Sequence, residues 1–123
     1  MKGQRVIGTL KIPAIELELP VMEECTPENL KIAPCLYNGS LYDNNMVICD
    51  NGNYRYFGRI KEMTKGHLIL FTDLENNQYI YEAECPELID RYPKEVLLEN
   101  SWNLTLLTSL EEHKSVAVRC IFR

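Results

Sequence analysis

The residues able to do covalent or metal chemistry here are five cysteines, at 25, 35, 49, 85 and 120, and two histidines, at 67 and 113. The cysteine count is odd, the spacing is wide, and no C-x-x-C pair occurs, which argues against a zinc knuckle or a thioredoxin-type site. Buried free thiols are the simplest reading of all five. Such thiols suit a reducing cytosol or the surface of an anaerobe better than an oxidising compartment. His67 and His113 lie far apart with no partner at metal-ligand spacing, and both read as surface residues. No dinucleotide glycine fingerprint, phosphate-binding loop or H-E-x-x-H helix is present. Glu111-Glu112 reads as a solvated loop, and spacing alone assigns no pair of carboxylates to acid–base work. The expectation is a protein that requires no metal and no organic cofactor.

The chain that must position these groups has 123 residues, net charge −5 and pI near 5.0, with 46% hydrophobic and 25% charged residues. That length fits one domain spanning 1–123, able to bury roughly two-thirds of its unfolded surface. The acidic balance argues against nucleic acid or an anionic membrane surface as the main partner, since both call for a basic face. No apolar run approaches the roughly 18 residues that span a bilayer, so a membrane link is expected only through an anchor outside this chain.

Apolar runs are short, rich in β-branched residues, and bounded by turn formers. Residues 5–15 read as a strand halted at Pro13, and 17–22 as a second, with Glu16 and Glu18 facing outward. Thr26-Pro27-Glu28-Asn29 reads as a helix start with Thr26 at the cap and a length of one or two turns. Asn38-Gly39 signals a turn within 37–42. Residues 46–49 read as a buried strand and 50–53 as a loop, with a short helix over 57–63. Residues 68–72 and 78–84 read as a hairpin with Tyr79, Tyr81 and Ala83 on one face. Residues 85–100 form a long connection. Two closing strands, 102–108 and 116–122, are predicted to be neighbours, joined by a polar loop over 109–115. About eight short strands at regular spacing predict a mostly β barrel or sandwich.

Three segments taken in order carry a resemblance. The first is Gly8-Thr9-Leu10-Lys11-Ile12-Pro13-Ala14-Ile15 with Leu19-Pro20-Val21. The second is Asn44-Asn45-Met46-Val47-Ile48-Cys49-Asp50-Asn51, running on to Phe57-Gly58-Arg59-Ile60 and Gly66. The third is Leu104-Thr105-Leu106-Leu107-Thr108-Ser109, continuing to Val116-Ala117-Val118-Arg119-Cys120. Together they resemble the sortases of class B and class D type, the cysteine transpeptidases of Gram-positive cell surfaces. The resemblance implies a closed eight-stranded β-barrel with short helices. It also implies a catalytic set: a cysteine that attacks the carbonyl of a sorting signal, a histidine acid/base, and an arginine for the oxyanion or the substrate.

Those positions hold other residues here. The family pattern Leu-Thr-Leu-x-Thr-Cys sets Ser109 at the cysteine, and Asn-Asn-x-Val-Ile-Ala-Gly-His sets Asn51 at the histidine, or Asp50 after a one-residue shift. The arginine position falls on Ser115 when the Val-Ala-Val-Arg-Cys strand is matched, or on Arg119 by spacing from Ser109. Strand alternation points Cys49 toward the core and sends Arg119 and Cys120 to opposite faces. His113 is the one histidine in the loop after Ser109.

The resemblance therefore implies a pseudo-sortase that keeps a peptide-binding groove and has lost the chemistry. Its partners would be a sorting-signal-like peptide, a pilin or another sortase. The alternatives are an active sortase, one inactivated by an engineered Cys-to-Ser change, a weak Ser109-based hydrolase, or a structural subunit using the barrel surface. The resemblance implies the cell surface if an anchor precedes the chain, and the cytoplasm otherwise. It leaves open a calcium ion on the acidic loops.

Overall fold

A computed structural model describes residues 5–50, 57–90, 102–109 and 114–123, with the backbone alone at 57–59, 90 and 109. Nine strands are seen: β1 Val6–Ile12, β2 Leu17–Met22, β3 Cys35–Asn38, β4 Met46–Asp50, β5 Leu68–Asp73, β6 Gln78–Ala83, β7 Glu87–Asp90, β8 Leu104–Ser109 and β9 Lys114–Phe122. One α-helix, α1 Pro27–Leu30, and two 3-10 helices, Pro13–Ile15 and Phe57–Glu62, complete the described elements.

The strands form one sheet in the order β6-β5-β1-β2-β3-β4-β8-β9-β7, and a further β6–β9 pairing closes it. The closed cylinder therefore has eight strands, as the resemblance implies, and β7 lies outside it as a ninth strand on β9. Closure leaves no open edge among those eight strands.

Each strand sends alternate side chains inward. Leu10 and Ile12, Val21, Met46 and Ile48, Ile69 and Phe71, Tyr81 and Ala83, Leu104 and Leu106, and Val116, Val118 and Cys120 form one buried interior cluster. The hairpin of β5 and β6 is as expected, with Tyr79 packed against the cluster beside Tyr81 and Ala83. Gly8 is required where β1 crosses β5, because a Cβ there would run into the carbonyl oxygen of Thr72 and the ring of Phe71.

Local chemistry sets the ends of the elements. Pro13 cannot donate to a strand ladder, so β1 turns into a 3-10 turn instead of running on to residue 15. Glu16 closes that turn in the left-handed region at φ 51, its N–H donating to the Pro13 carbonyl at 3.0 Å. Thr26 caps α1 as predicted, accepting from the Asn29 N–H at 3.1 Å. The Asn29 side chain in turn donates to the Glu24 carbonyl at 3.0 Å, which fixes the segment that carries Cys25.

Two strands were not expected. β3, Cys35–Asn38, runs into the 37–42 stretch read as a turn, and β7 lies inside the connection read over 85–100. The predicted loop between the closing strands is also shorter, because Ser109 and Ser115 are themselves paired strand residues.

Tyr81 is fully buried, and its hydroxyl finds no hydrogen-bond partner among the described residues. Burial also pushes its phenol up to about 12. Its ring packs edge-on against Phe122 at 5.6 Å between centroids. A buried hydroxyl without a partner costs about 1–3 kcal/mol. Tyr81→Phe, which keeps the ring and drops the hydroxyl, is expected to be neutral or stabilising by up to about 2 kcal/mol. Urea titration checks this; a loss beyond about 1 kcal/mol would mean that the hydroxyl is used.

Candidate functional site

The site candidates converge on the three neighbouring strands β4, β8 and β9. β4 and β8 run parallel, with Met46 opposite Leu104 and Asp50 opposite Thr108. β8 and β9 are antiparallel neighbours, as predicted, with Thr105 opposite Arg119, Leu107 opposite Ala117, and Ser109 opposite Ser115.

These strands are buried on both faces. Their inward side chains belong to the barrel interior, while Val47, Cys49, Leu107 and Ala117 form a second cluster on the outside. Cys25, Leu30 and Ile89 pack over that outer cluster. The double burial explains the unbroken apolar stretch in β4, where every residue is buried. It also corrects the placement of Cys49, which is buried, as expected, but outside the barrel.

The predicted site residues separate on this framework. Ser115 is buried, and its hydroxyl has no hydrogen-bond partner among the described residues. Its cross-strand backbone neighbour is Ser109, the last pair of the β8–β9 ladder, next to the connection between the two strands. Arg119 lies four residues further along β9, about 13 Å from position 115 at strand spacing. It is buried at 3% exposure, with its Nε 3.5 Å from Glu87 Oε1 on β7. Cys120 points the other way, into the barrel interior.

Asp50 is buried and accepts a 2.6 Å hydrogen bond from the Thr108 hydroxyl. Thr108 stands opposite Val116, an interior residue, which puts the Asp50–Thr108 pair on the barrel side of the sheet. Asn51 and His113 lie outside the described residues. His67 is half-buried rather than on the open surface, and its ring nitrogens lie 3.2 Å from the Thr64 N–H and hydroxyl.

Sequence reasoning missed a cysteine cluster beside this site. Cys25 Sγ lies 3.3 Å from Cys49 Sγ, and Cys35 is the direct cross-strand partner of Cys49. The hydrogen bond from Cys49 holds the half-buried Cys25 thiol down at about 7. The same hydrogen bond, with burial, pushes Cys49 up. Burial pushes Cys35 up to about 12. The separations in sequence carried no signal, because the β3–β4 pairing sets Cys35 beside Cys49 and the segment before α1 packs Cys25 over both. Cys85 also departs from expectation, since it is exposed. No group of three His, Cys, Asp or Glu side chains among the described residues is placed to hold a metal ion. No helix among them is long and apolar enough to cross a membrane.

The sequence model of the family described as the sortase domain matches residues 10–123. No curated protein sequence matches the chain. Among solved structures, sortase A of Listeria monocytogenes superposes with a TM-score of 0.86 at 23% identity, over 96% of this chain and 87% of that one. Sortase C of Clostridium perfringens, solved with the C-terminal cell wall sorting motif, gives 0.84 at 20% identity, over 97% and 71%. Sortase A of Corynebacterium diphtheriae gives 0.82 at 17% identity over 98% of this chain, which spans only 61% of the length of that chain. At these identities the structural likeness is one of fold.

Proposed function

Because the chain belongs to the sortase family, we propose that it is a pseudo-sortase, a binder of extended sorting-signal-like peptides that lacks the transpeptidase chemistry. The observation that carries this reading is the pairing of Ser109 with Ser115. By the resemblance, with the Val-Ala-Val-Arg-Cys strand matched, these are the cysteine and the arginine positions, and a nucleophile and an oxyanion donor acting on one carbonyl must come from adjacent sites. Two directly opposed strand residues meet that need, whereas Arg119, about 13 Å further along its strand, does not. Arg119 is moreover buried against Glu87.

The third position supports the same reading. Asn51 carries no titrating proton at neutral pH. Asp50, the alternative, is committed to Thr108 on the barrel side. A serine hydroxyl is a weak nucleophile without an adjacent base, and with Asn51 at the family's histidine position that position offers Ser109 no imidazole. Peptide recognition survives such losses, since extended peptides are held by shape and main-chain hydrogen bonds. The Clostridium sortase C solved with the C-terminal cell wall sorting motif makes that class of peptide the first ligand to try. The place of action is then the cell surface, and a pilin or a second sortase is the natural bearer of the peptide.

Titration calorimetry with synthetic sorting-motif peptides tests the reading. Saturable binding is expected, weakened at least about tenfold, roughly 1.4 kcal/mol, by a bulky Ser109→Trp. Binding that is absent, or indifferent to Ser109→Trp, would overturn the proposal and favour a role for the barrel surface alone.

A further inference from the structure

Cys25, Cys35 and Cys49 come from three separate elements and meet at one place outside the barrel. Cys25 precedes the Thr26 cap of α1, Cys35 opens β3, and Cys49 lies in β4. Cys25 and Leu30 bridge two small apolar clusters, one holding Cys49 with Val47, Leu107 and Ala117, the other holding Cys35 with Met22 and Ala33. Cys35 is fully buried, and its thiol donates to the Ala33 carbonyl at 3.3 Å. Cys25 and Cys49 are instead in sulfur–sulfur contact at 3.3 Å. Cys25 alone of the three reaches solvent. It lines an open cavity of about 430 Å³ with Glu23, Glu24, Leu36, Tyr37, Asn38 and Gly39.

This is the division of labour of a two-cysteine redox centre: one thiol that is accessible and easily ionised, and one that is buried, protonated and within reach of it. We propose that Cys25 and Cys49 form a redox-active dithiol that reduces small hydroperoxides, with Cys25 the attacking thiol and Cys49 the resolving one. This inference is independent of the peptide-binding reading.

The chemistry balances with the hydroperoxide as the only co-reactant. The Cys25 sulfur attacks the terminal peroxide oxygen, the O–O bond breaks, and the leaving oxygen takes a proton to depart as an alcohol or water. Cys25 is left as a sulfenic acid. The Cys49 sulfur then attacks the Cys25 sulfur, the S–O bond breaks, and the oxygen leaves as water with the proton from Cys49. Two thiols are oxidised to one disulfide and one peroxide bond is reduced. The sulfurs must close from 3.3 Å to about 2.05 Å, a movement of about 1.2 Å. Glu23 and Glu24 at the cavity repel anionic oxidants such as glutathione disulfide and leave a neutral hydroperoxide as the favoured co-reactant.

Full-length reduced protein, treated with stoichiometric hydrogen peroxide, alkylated and mapped by mass spectrometry, tests the assignment. A Cys25–Cys49 linked peptide is expected, lost again on reduction with dithiothreitol. Cys49→Ser is expected to stop at a Cys25 sulfenic acid that dimedone traps, and Cys25→Ser to leave Cys49 reduced. The titratable groups facing Cys25 are Cys35 and Cys49 in its packing and Glu23 and Glu24 at the cavity. With these in place, its alkylation rate in the wild type should rise with a midpoint near 7. The wild-type map stands whether or not either variant folds. Oxidation confined to the exposed Cys85, a Cys25–Cys35 bond, or a Cys25 that stays alkylatable after peroxide would each overturn the proposal.

Discussion

The purified protein is expected to show no cleavage of a sorting-signal peptide and no transfer to an amine, and Ser109→Cys alone is not expected to restore either. A cysteine at 109 would keep a pKa near the ordinary 8.5, because the family's histidine position holds Asn51 and supplies no imidazole to draw off the proton. The leaving amine would still lack an acid donor, a loss of roughly 10²–10⁴-fold. If Ser115 is the arginine position, the oxyanion also lacks its donor, worth roughly 10²–10³-fold by analogy with other oxyanion holes. Groups that act as a unit do not recover their effect one at a time, so the single variant should remain at background, about 10⁴-fold or more below an intact sortase assayed alongside. Adding Asn51→His to Ser109→Cys is the informative step. It is expected to lift turnover of a fluorescent peptide substrate about 10²-fold above the single variant, because the acid and base return together. Turnover by the wild type would overturn the pseudoenzyme reading. Turnover by Ser109→Cys alone would point to an acid or base already in place, with His113 the first to replace.

How much of this was legible in the sequence varies with how local each signal is. The Thr26 cap, the break at Pro13 and the β5–β6 hairpin were readable, because each is written in residues a few positions apart. The eight-strand closure came from the resemblance, since periodicity alone left barrel and sandwich equally open. β3 and β7 were hidden by their flanks. Pro34 and Asn38-Gly39 bracket the first, and Pro86 precedes the second, so both stretches read as connections although their backbones pair with neighbouring strands. The second apolar face of β4 and β8 was also invisible. Alternation predicts one buried face, and among the described residues the packing of Cys25, Leu30 and Ile89 over the outer cluster of Cys49 and Leu107 buries the other. The candidate positions 109 and 115 were found by motif, but their being opposite one another is a matter of register, which follows from the β8–β9 pairing and not from spacing. The sulfur contact of Cys25 with Cys49 is less local still, spanning 24 residues and three elements.

Leu106→Ala is expected to be among the most damaging single changes to stability, at about 3–5 kcal/mol. Leu106 is fully buried at the middle of β8, with Ile48 of β4 on one side and Val118 of β9 on the other. Both neighbours are held by strand ladders, so neither can shift to fill the space, and a site that cannot collapse lies at the costly end of the range for this substitution. Against a total stability of about 5–15 kcal/mol for a domain of ordinary size, that is a large fraction. The thermal midpoint should fall by roughly 10–25 °C. Leu74→Ala supplies the control. Leu74 is 74% exposed at the β5–β6 turn, and its loss should stay within about 0.5 kcal/mol. Both are read by urea titration with the slope compared between variants, since an unchanged slope assigns the shift to stability rather than to a changed unfolded state. A Leu106→Ala loss below about 1 kcal/mol would mean that the barrel interior is loosely packed at β8. The pairing of Ser109 with Ser115 would then lose its rigid support, and the peptide-binding reading with it, because the position of both serines depends on β8 being fixed between β4 and β9.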